Sequence, residues 1–275
     1  MLRGYYTAAS GMMAQQRRQD TLANNIANAQ TPGYKQDQAT IRSFPELLIQ
    51  RMESGSTKTS SGQLGFPIKN TIGSINTGAY VQEVIPDYTE GSLKETGTAT
   101  DMALINGALP DEDGGLFFTV QNADGEERYT RNGNFTVDGE GFLTTNQGYY
   151  VLDNAGNPIE TDGQTFTVSA DGIIQVGEQA IPLAIGYTPN VNGMVKDDED
   201  LFAVGEDGVA IENARGNANT TFSIQQEYLE NSNVDAVQSM TDMMQAYRSF
   251  ETNQKVLQAY DQSMDKAVNQ IARLT

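Results

Sequence analysis

The chain of 275 residues contains no cysteine, no histidine and no tryptophan. Without cysteine there is no disulfide framework, no thiolate metal site and no thiol nucleophile. Without histidine the commonest general base and the commonest metal ligand are both missing. Basic residues are also scarce, 17 against 36 acidic ones, so the net charge is −19. That balance argues against nucleic-acid binding, which needs cations to neutralise phosphates. No run approaches the roughly 20 apolar residues of a membrane-spanning helix. Residues 1–16 hold Arg3, but Thr7, Ser10 and Gln15 interrupt any apolar stretch. A cleaved secretory signal is therefore not expected, and read alone this points to the cytoplasm.

What is present is unevenly placed. Residues 1–51 carry six basic and three acidic residues (+3), and residues 226–275 carry four and seven (−3). The stretch 52–225, with seven basic and twenty-six acidic residues, carries the whole −19. The ends and the middle are thus suited to different surroundings.

The ends read as helices. Leu2, Tyr5, Ala9, Met12, Gln16, Gln19, Ala23 and Ile26 follow alternating steps of three and four, the spacing of a heptad seam. Pro32 and Gly33 should stop this helix near Gln30. Ala236, Ser239, Met243, Ala246, Phe250, Asn253, Leu257, Tyr260, Met264, Ala267, Ile271 and Leu274 repeat the pattern, with Ser232 or Asn233 as the expected cap. This second helix should run for about forty residues. Polar seam residues such as Gln16, Gln19 and Asn253 cost stability but specify register or partner number. Such a pattern serves two helices packed on a globular core or a seam between chains. The methionines Met12, Met13, Met240, Met243, Met244 and Met264 favour the second use, because methionine adapts to non-equivalent neighbours.

The middle reads as β. Asp124-Gly125, Asn132-Gly133, Asp138-Gly139, Asp162-Gly163, Asp171-Gly172 and Asp207-Gly208 are hairpin-type dipeptides. Between them Leu116–Gln121, 134–137, 142–145, 149–152, 165–168 and 173–176 read as strands of an antiparallel domain. Residues 52–75, rich in Ser, Gly and Thr, read as linker or extended arm. The fold class is therefore α+β, with long amphipathic terminal helices flanking a mostly antiparallel β domain. Its divisions are 1–33 (N-terminal helix), 34–75 (linker or arm), 76–226 (β domain) and 227–275 (C-terminal helix).

Candidate chemistry is thin. Asp197-Asp198-Glu199-Asp200 offers hard-cation ligands, but adjacent carboxylates rarely converge on one ion and read better as a solvated loop. Asp138-Gly139-Glu140-Gly141 and Asp111-Glu112-Asp113 read as turns. The sequons at Asn134 and Asn219 carry little weight at their chance frequency. No nucleophile elbow, phosphate loop or dinucleotide fingerprint occurs. No catalytic, cofactor-binding or metal residues are assigned, and no enzyme activity is expected.

One stretch exceeds composition: Asn24-Asn25-Ile26-Ala27-Asn28-Ala29-Gln30-Thr31-Pro32-Gly33-Tyr34, preceded by Ala8-Ala9-Ser10-Gly11-Met12. It resembles the N-terminal signature of bacterial flagellar basal-body rod and hook proteins. In order along the chain follow 101–107, then Tyr129-Thr130-Arg131-Asn132-Gly133-Asn134-Phe135 with Gly141-Phe142-Leu143. The series ends with Leu229-Glu230-Asn231-Ser232-Asn233-Val234-Asp235 and Ala246-Tyr247-Arg248-Ser249-Phe250-Glu251. All resemble motifs of the same family. The length resembles a distal-rod-type subunit, and 43–51 resembles a rod paralogue of Gram-positive bacteria. Residues 108–115 and 189–200 depart from the family pattern as extra segments.

The resemblance implies a subunit whose terminal helices form a coiled-coil inner tube around an export channel, with the β domain outside. It implies torque transmission, partners that are copies of itself and other axial flagellar proteins, and passage through the flagellar type III apparatus. That route takes the protein past the cytoplasmic membrane without a cleaved signal and replaces the cytoplasmic expectation. No nucleic acid, membrane insertion or cofactor is implied. The expected assembly interface comprises Leu2, Tyr5, Ala9, Met12, Ala23, Asn24, Asn25, Ile26, Asn28, Met243, Ala246, Phe250, Asn253, Leu257, Tyr260, Met264, Ile271 and Leu274. The alternatives are a hook or proximal-rod paralogue, a non-flagellar surface or tail-fibre protein, and a carboxylate-pair hydrolase.

Overall fold

The computed structural model describes residues 2–59, 62–198, 200–205 and 208–271. The chain is α+β, mostly antiparallel, with one helix near each end. It divides into two compact units. Unit 1 comprises 1–24, 38–84 and 237–275, and unit 2 comprises 25–37 and 85–236. The charge asymmetry sharpens on this division. Unit 1 holds 11 basic and 8 acidic residues (+3), and unit 2 holds 6 and 28 (−22).

Unit 1 contains most of α1 (Leu2–Ala27), β1 (Asp37–Ser43), β2 (Leu47–Thr59), β3 (Gly62–Ile75) and β4 (Ala79–Pro86), and nearly all of α2 (Ala236–Lys266). β1 pairs with β4, and β2 with β3 in a long antiparallel hairpin. Residues 34–75, read from sequence as linker or arm, thus hold three strands. α1 runs through Gly11 without a break and ends before Pro32, whose ring disfavours helix in the preceding residue. α2 passes into a π-helical turn at Ala267–Ile271. Asn233 does not serve as its cap. Its side chain accepts from the Gln36 N–H and donates to the Asp87 and Thr89 carbonyls.

Unit 2 adds β5 (Leu93–Glu95), β6 (Met102–Asn106), β7 (Gly115–Gln121), β8 (Glu127–Thr130), β9 (Phe135–Val137), β10 (Leu143–Thr145), β11 (Tyr150–Val151), β12 (Phe166–Val168), β13 (Ile173–Val176), β14 (Gln179–Pro182) and β15 (Ile185–Thr188). Then come β16 (Met194–Asp198), β17 (Leu201–Val204), β18 (Glu212–Asn213), β19 (Phe222–Gln226) and β20 (Tyr228–Glu230). A nine-stranded sheet runs β16-β17-β8-β7-β11-β10-β9, with β15 bridging β7 and β18. β7 is its spine. Because side chains alternate across a strand, Leu116, Phe118 and Val120 enter the main core while Phe117 joins Phe202, Val191 and Met194 on the other side. A strand covered on both faces is apolar throughout, which explains the unbroken run Leu116-Phe117-Phe118.

Three hairpins fall on dipeptides expected from the sequence, Asp124-Gly125, Asp138-Gly139 and Asp171-Gly172, but their turns are longer than two residues. Five turns share a longer plan, beginning at Asn122, Asp138, Thr145, Asp153 and Ser169. In each, the fourth residue is a glycine of positive φ whose N–H returns to the first residue's carbonyl. The first side chain accepts the N–H four residues ahead, as Asp138 Oδ1 does from Phe142 and Ser169 Oγ from Ile173. In 138–141 the positive φ therefore falls on Gly141, not Gly139. Asp162-Gly163 is the genuine two-residue turn, both φ positive and the Gln164 N–H returning to Thr161. Asn132-Gly133 is no hairpin, and Asp207 lies outside the described residues.

Candidate assembly surface and motif core

Unit 2 explains why separate motifs of the sequence belong together. Asn25, in the last turn of α1, is fully buried. Its amide donates to the Asp37 carbonyl at 2.8 Å, and its oxygen accepts from the Asp37 N–H and the Tyr34 hydroxyl. Burial, with Asp37 close by, pushes the Tyr34 phenol up, so it stays protonated as a donor. Lys196 lies 4.0 Å from the centre of the Tyr34 ring. The Gly33 N–H donates to the Glu230 carbonyl, and with φ +71° Gly33 lets this strip approach the Arg131–Asn132 backbone.

The next residue, Lys35, enters a buried charge cluster. Its ammonium lies 2.7 Å from Glu230 Oε1 and 2.7 Å from the Thr89 carbonyl. Arg131 Nε donates to Glu230 Oε2 at 3.0 Å, and its other nitrogens reach Asn106, Glu90 and the Leu104 and Leu116 carbonyls. The Gly91 N–H completes the Glu230 carboxylate. Lys35, Arg131 and Glu230 are all at most 4 % exposed. One buried carboxylate is thus shared by two buried cations.

Each shift follows from that sharing. Burial raises the Glu230 carboxyl, but Arg131 and Lys35 more than offset it and hold it below its ordinary value. Burial lowers the Lys35 ammonium, Glu230 opposes this, and the Arg131 charge adds to the lowering. A depressed carboxylate contributes stability that is present above the ordinary carboxylate range and lost as pH falls through its folded value. E230Q should therefore melt roughly 3–6 °C below the parent chain at pH 7. Calorimetry should show that difference shrinking below about pH 4. A difference independent of pH would remove the charge from the explanation.

Sequence reasoning quoted these stretches but did not single out Lys35, Arg131 or Glu230 as a group. The available signal was slight: Arg131 is the lone charge of its motif, Glu230 shares its motif with Asp235, and Lys35 directly follows the N-terminal motif. In the acidic run at 197–200 two described side chains have partners elsewhere. Asp197 pairs with Arg128 and Asp200 accepts from Asn132. Asp111 accepts the Tyr187 hydroxyl. Among the described residues no group of three or more acidic side chains could hold a metal ion, and no helix is long and apolar enough to cross a membrane.

The expected interface residues on and beside the two helices fall into three groups. On α2, Ala246 is buried and Met243, Phe250, Asn253, Leu257 and Tyr260 are half-buried, while Met264 is exposed. On α1, Tyr5, Ala9, Met12 and Ile26 are half-buried, Ala23 and Asn24 exposed, and Asn28, just beyond the helix, half-buried. Backbone alone is described for Leu2 and Ile271, and Leu274 lies outside the described residues. The two helices meet where Gly4 and Gly11 admit Tyr260 and Asn253, one residue away from the expected α1 seam.

A second apolar stripe remains uncovered. Val237, Met240, Met244 and Tyr247, spaced as i, i+3, i+7 and i+10, are 49–76 % exposed. On α1, Tyr6 and Met13 are 64 % and 57 % exposed. Beside the α2 stripe lies a cleft of about 550 Å³ whose walls include Ala23, Met243, Met244 and Tyr247.

A helix near each end with exposed apolar side chains, beside a β-rich unit built on the quoted motifs, has the make-up of a structural protein rather than of a catalytic site. Residues 6–35 match the family "Flagella basal body rod protein", 113–176 the "Flagellar hook protein FlgE/F/G D1 domain", and 225–271 the "Flagellar basal body rod FlgEFG protein C-terminal". The chain is 44 % identical over 280 residues to the flagellar hook-basal body complex protein FlhO of Bacillus subtilis, covering 100 % of both chains. It is 33 % identical to the flagellar basal-body rod protein FlgG of Agrobacterium fabrum, covering 95 % of this chain and 96 % of that one. Identity to FlgG of B. subtilis is 30 %, covering 98 % and 99 %. The chain belongs to the flagellar basal-body rod and hook protein family.

Proposed function

We propose that this protein is a structural subunit of the flagellar rod, of distal-rod type. It polymerises with copies of itself and other axial proteins through its terminal helices. The observation that carries this reading is the uncovered apolar stripe on α2, matched by Tyr6 and Met13 on α1. Side chains of this size each forfeit roughly 1.5–3 kcal/mol when left in water. Their heptad-like spacing suits a helical neighbour better than a small ligand. In this reading 1–33 and 227–275 line an inner tube around the export channel, and the acidic middle of the chain meets solvent. The finer interface is the set Leu2, Tyr5, Ala9, Met12, Ala23, Asn24, Asn25, Ile26, Asn28, Met243, Ala246, Phe250, Asn253, Leu257, Tyr260, Met264, Ile271 and Leu274. Delivery by the type III export route needs a chain that unfolds readily, and the absence of disulfides suits it.

The test is deletion of the gene followed by imaging of isolated basal bodies. A truncated rod lacking the hook is the expected result. Intact basal bodies with normal swimming would overturn the reading in favour of a surface fibre or an enzyme.

A further inference from the structure

The main core of unit 2 is supplied wholly by residues 102–224, from Met102 through Phe118 and Leu143 to Ile224. Neither the N-terminal strip 25–37 nor the C-terminal segment 228–236 contributes to it. Each piece brings one buried ring or aliphatic side chain, Tyr34 and Leu229, outside that core, and otherwise joins the unit by polar bonds. β20 pairs with β5, the Asn231 N–H donates to the Ser92 carbonyl, and the Asn233 side chain ties Gln36 to Asp87 and Thr89. Glu230 then engages Lys35, Gly91 and Arg131 at once. A joint of this kind can open without breaching the apolar core. It closes only when the carboxylate arrives, because Lys35 buried without it is an uncompensated charge.

We propose that segment 228–233 is a latch on unit 2, with Glu230 as its catch. Open, the β core persists while 33–37 and 228–233 are released together. Closed, it ties the root of α1, at Asn25, to the root of α2, at Ala236, in one joint. Arg131 tolerates the open state because it keeps Asn106 and the Leu104 and Leu116 carbonyls. Lys35, carried out with the released strip, leaves Glu230 and the Thr89 carbonyl and returns to water. The inference goes beyond the rod reading and does not depend on it, since the latch belongs to the single subunit.

The chain's lack of cysteine permits a clean test. Ser92 and Asn231 touch through their side chains at 3.1 Å, next in register after the Glu230–Leu93 pair. A disulfide between S92C and N231C would shut the latch without the charge. Hydrogen exchange on dilute full-length protein is the readout. E230Q should raise exchange of 33–37 and 228–233 by roughly a hundredfold while 115–121 and 143–145 stay protected. The oxidised S92C/N231C/E230Q chain should restore protection, and reduction should remove it. Unchanged exchange in E230Q overturns the latch. So does loss of protection in the β core, because Glu230 would then be an ordinary determinant of the whole fold. If E230Q does not fold, the oxidised triple variant must fold and must release both strips on reduction. Its failure to do so also overturns the proposal.

Discussion

Placing aspartate at both Met244 and Tyr247 is expected to abolish swimming and leave basal bodies with a shortened rod. Both side chains are more than half exposed in the single chain, so the free subunit loses little by the change. The cost appears only where a neighbour would cover them. Two buried side chains at roughly 1.5–3 kcal/mol each correspond to contacts weakened about 10²–10⁴-fold, before the penalty of burying charge. Circular dichroism of the purified double variant should match the parent, and hydrogen exchange in 115–121 should be unchanged. Leu257→Asp should also stop assembly, but Leu257 is half-buried in its own chain, so its helical signal should fall as well. Normal motility in the M244D/Y247D strain would count decisively against helix-mediated polymerisation.

The same stripe shows how far the sequence could be read. On α2 the helix itself was legible, and each position read by periodicity from Ala236 to Tyr260 is shielded to some degree in the single chain. On α1 the reading slipped by one residue. The face that meets α2 is made of Gly4 and Gly11, and glycine contributes nothing to a hydrophobic pattern. The stripe Val237-Met240-Met244-Tyr247 escaped notice because one helix then carries two apolar faces, and a single-seam template credits only one.

The strands of unit 2 were legible for a similar reason. β7 and β13 are short, mostly apolar runs between glycine-marked turns, and they and β10 fall where the pattern placed them. The turn chemistry was misread because Asp-Gly looks alike whether the glycine sits second in a two-residue turn or last in a longer one. Only the side-chain oxygen two residues before Asp124 or Asp171 distinguishes the cases. The charge cluster was illegible for a deeper reason. Lys35, Arg131 and Glu230 are about 100 residues apart in sequence, and nothing local to any of them reveals that they share one site.

Asn132-Gly133 carries the second large effect. Gly133 lies between the charge cluster and the core, with Arg131 on one side and buried Phe135 on the other. Its carbonyl accepts the Met102 and Phe135 N–H groups. A Cβ built on Gly133 would stand 1.6 Å from the Met102 carbonyl oxygen, a backbone atom that no rotamer change can move away. Gly133→Ala must therefore push the 131–135 segment off the start of β6. That movement loosens the seat of Arg131 and opens the core at Met102 and Phe135, both at most 2 % exposed. The expected loss is roughly 3 kcal/mol or more. For a unit of this size that lowers the melting temperature by about 6–12 °C. Gly139→Ala supplies the control. Gly139 has open space around its Cβ position and is not among the positive-φ glycines of its turn, so its melting temperature should stay within about 2 °C of the parent. If the two variants melted together, close packing at Gly133 would not be what holds the Tyr129–Phe135 motif in place.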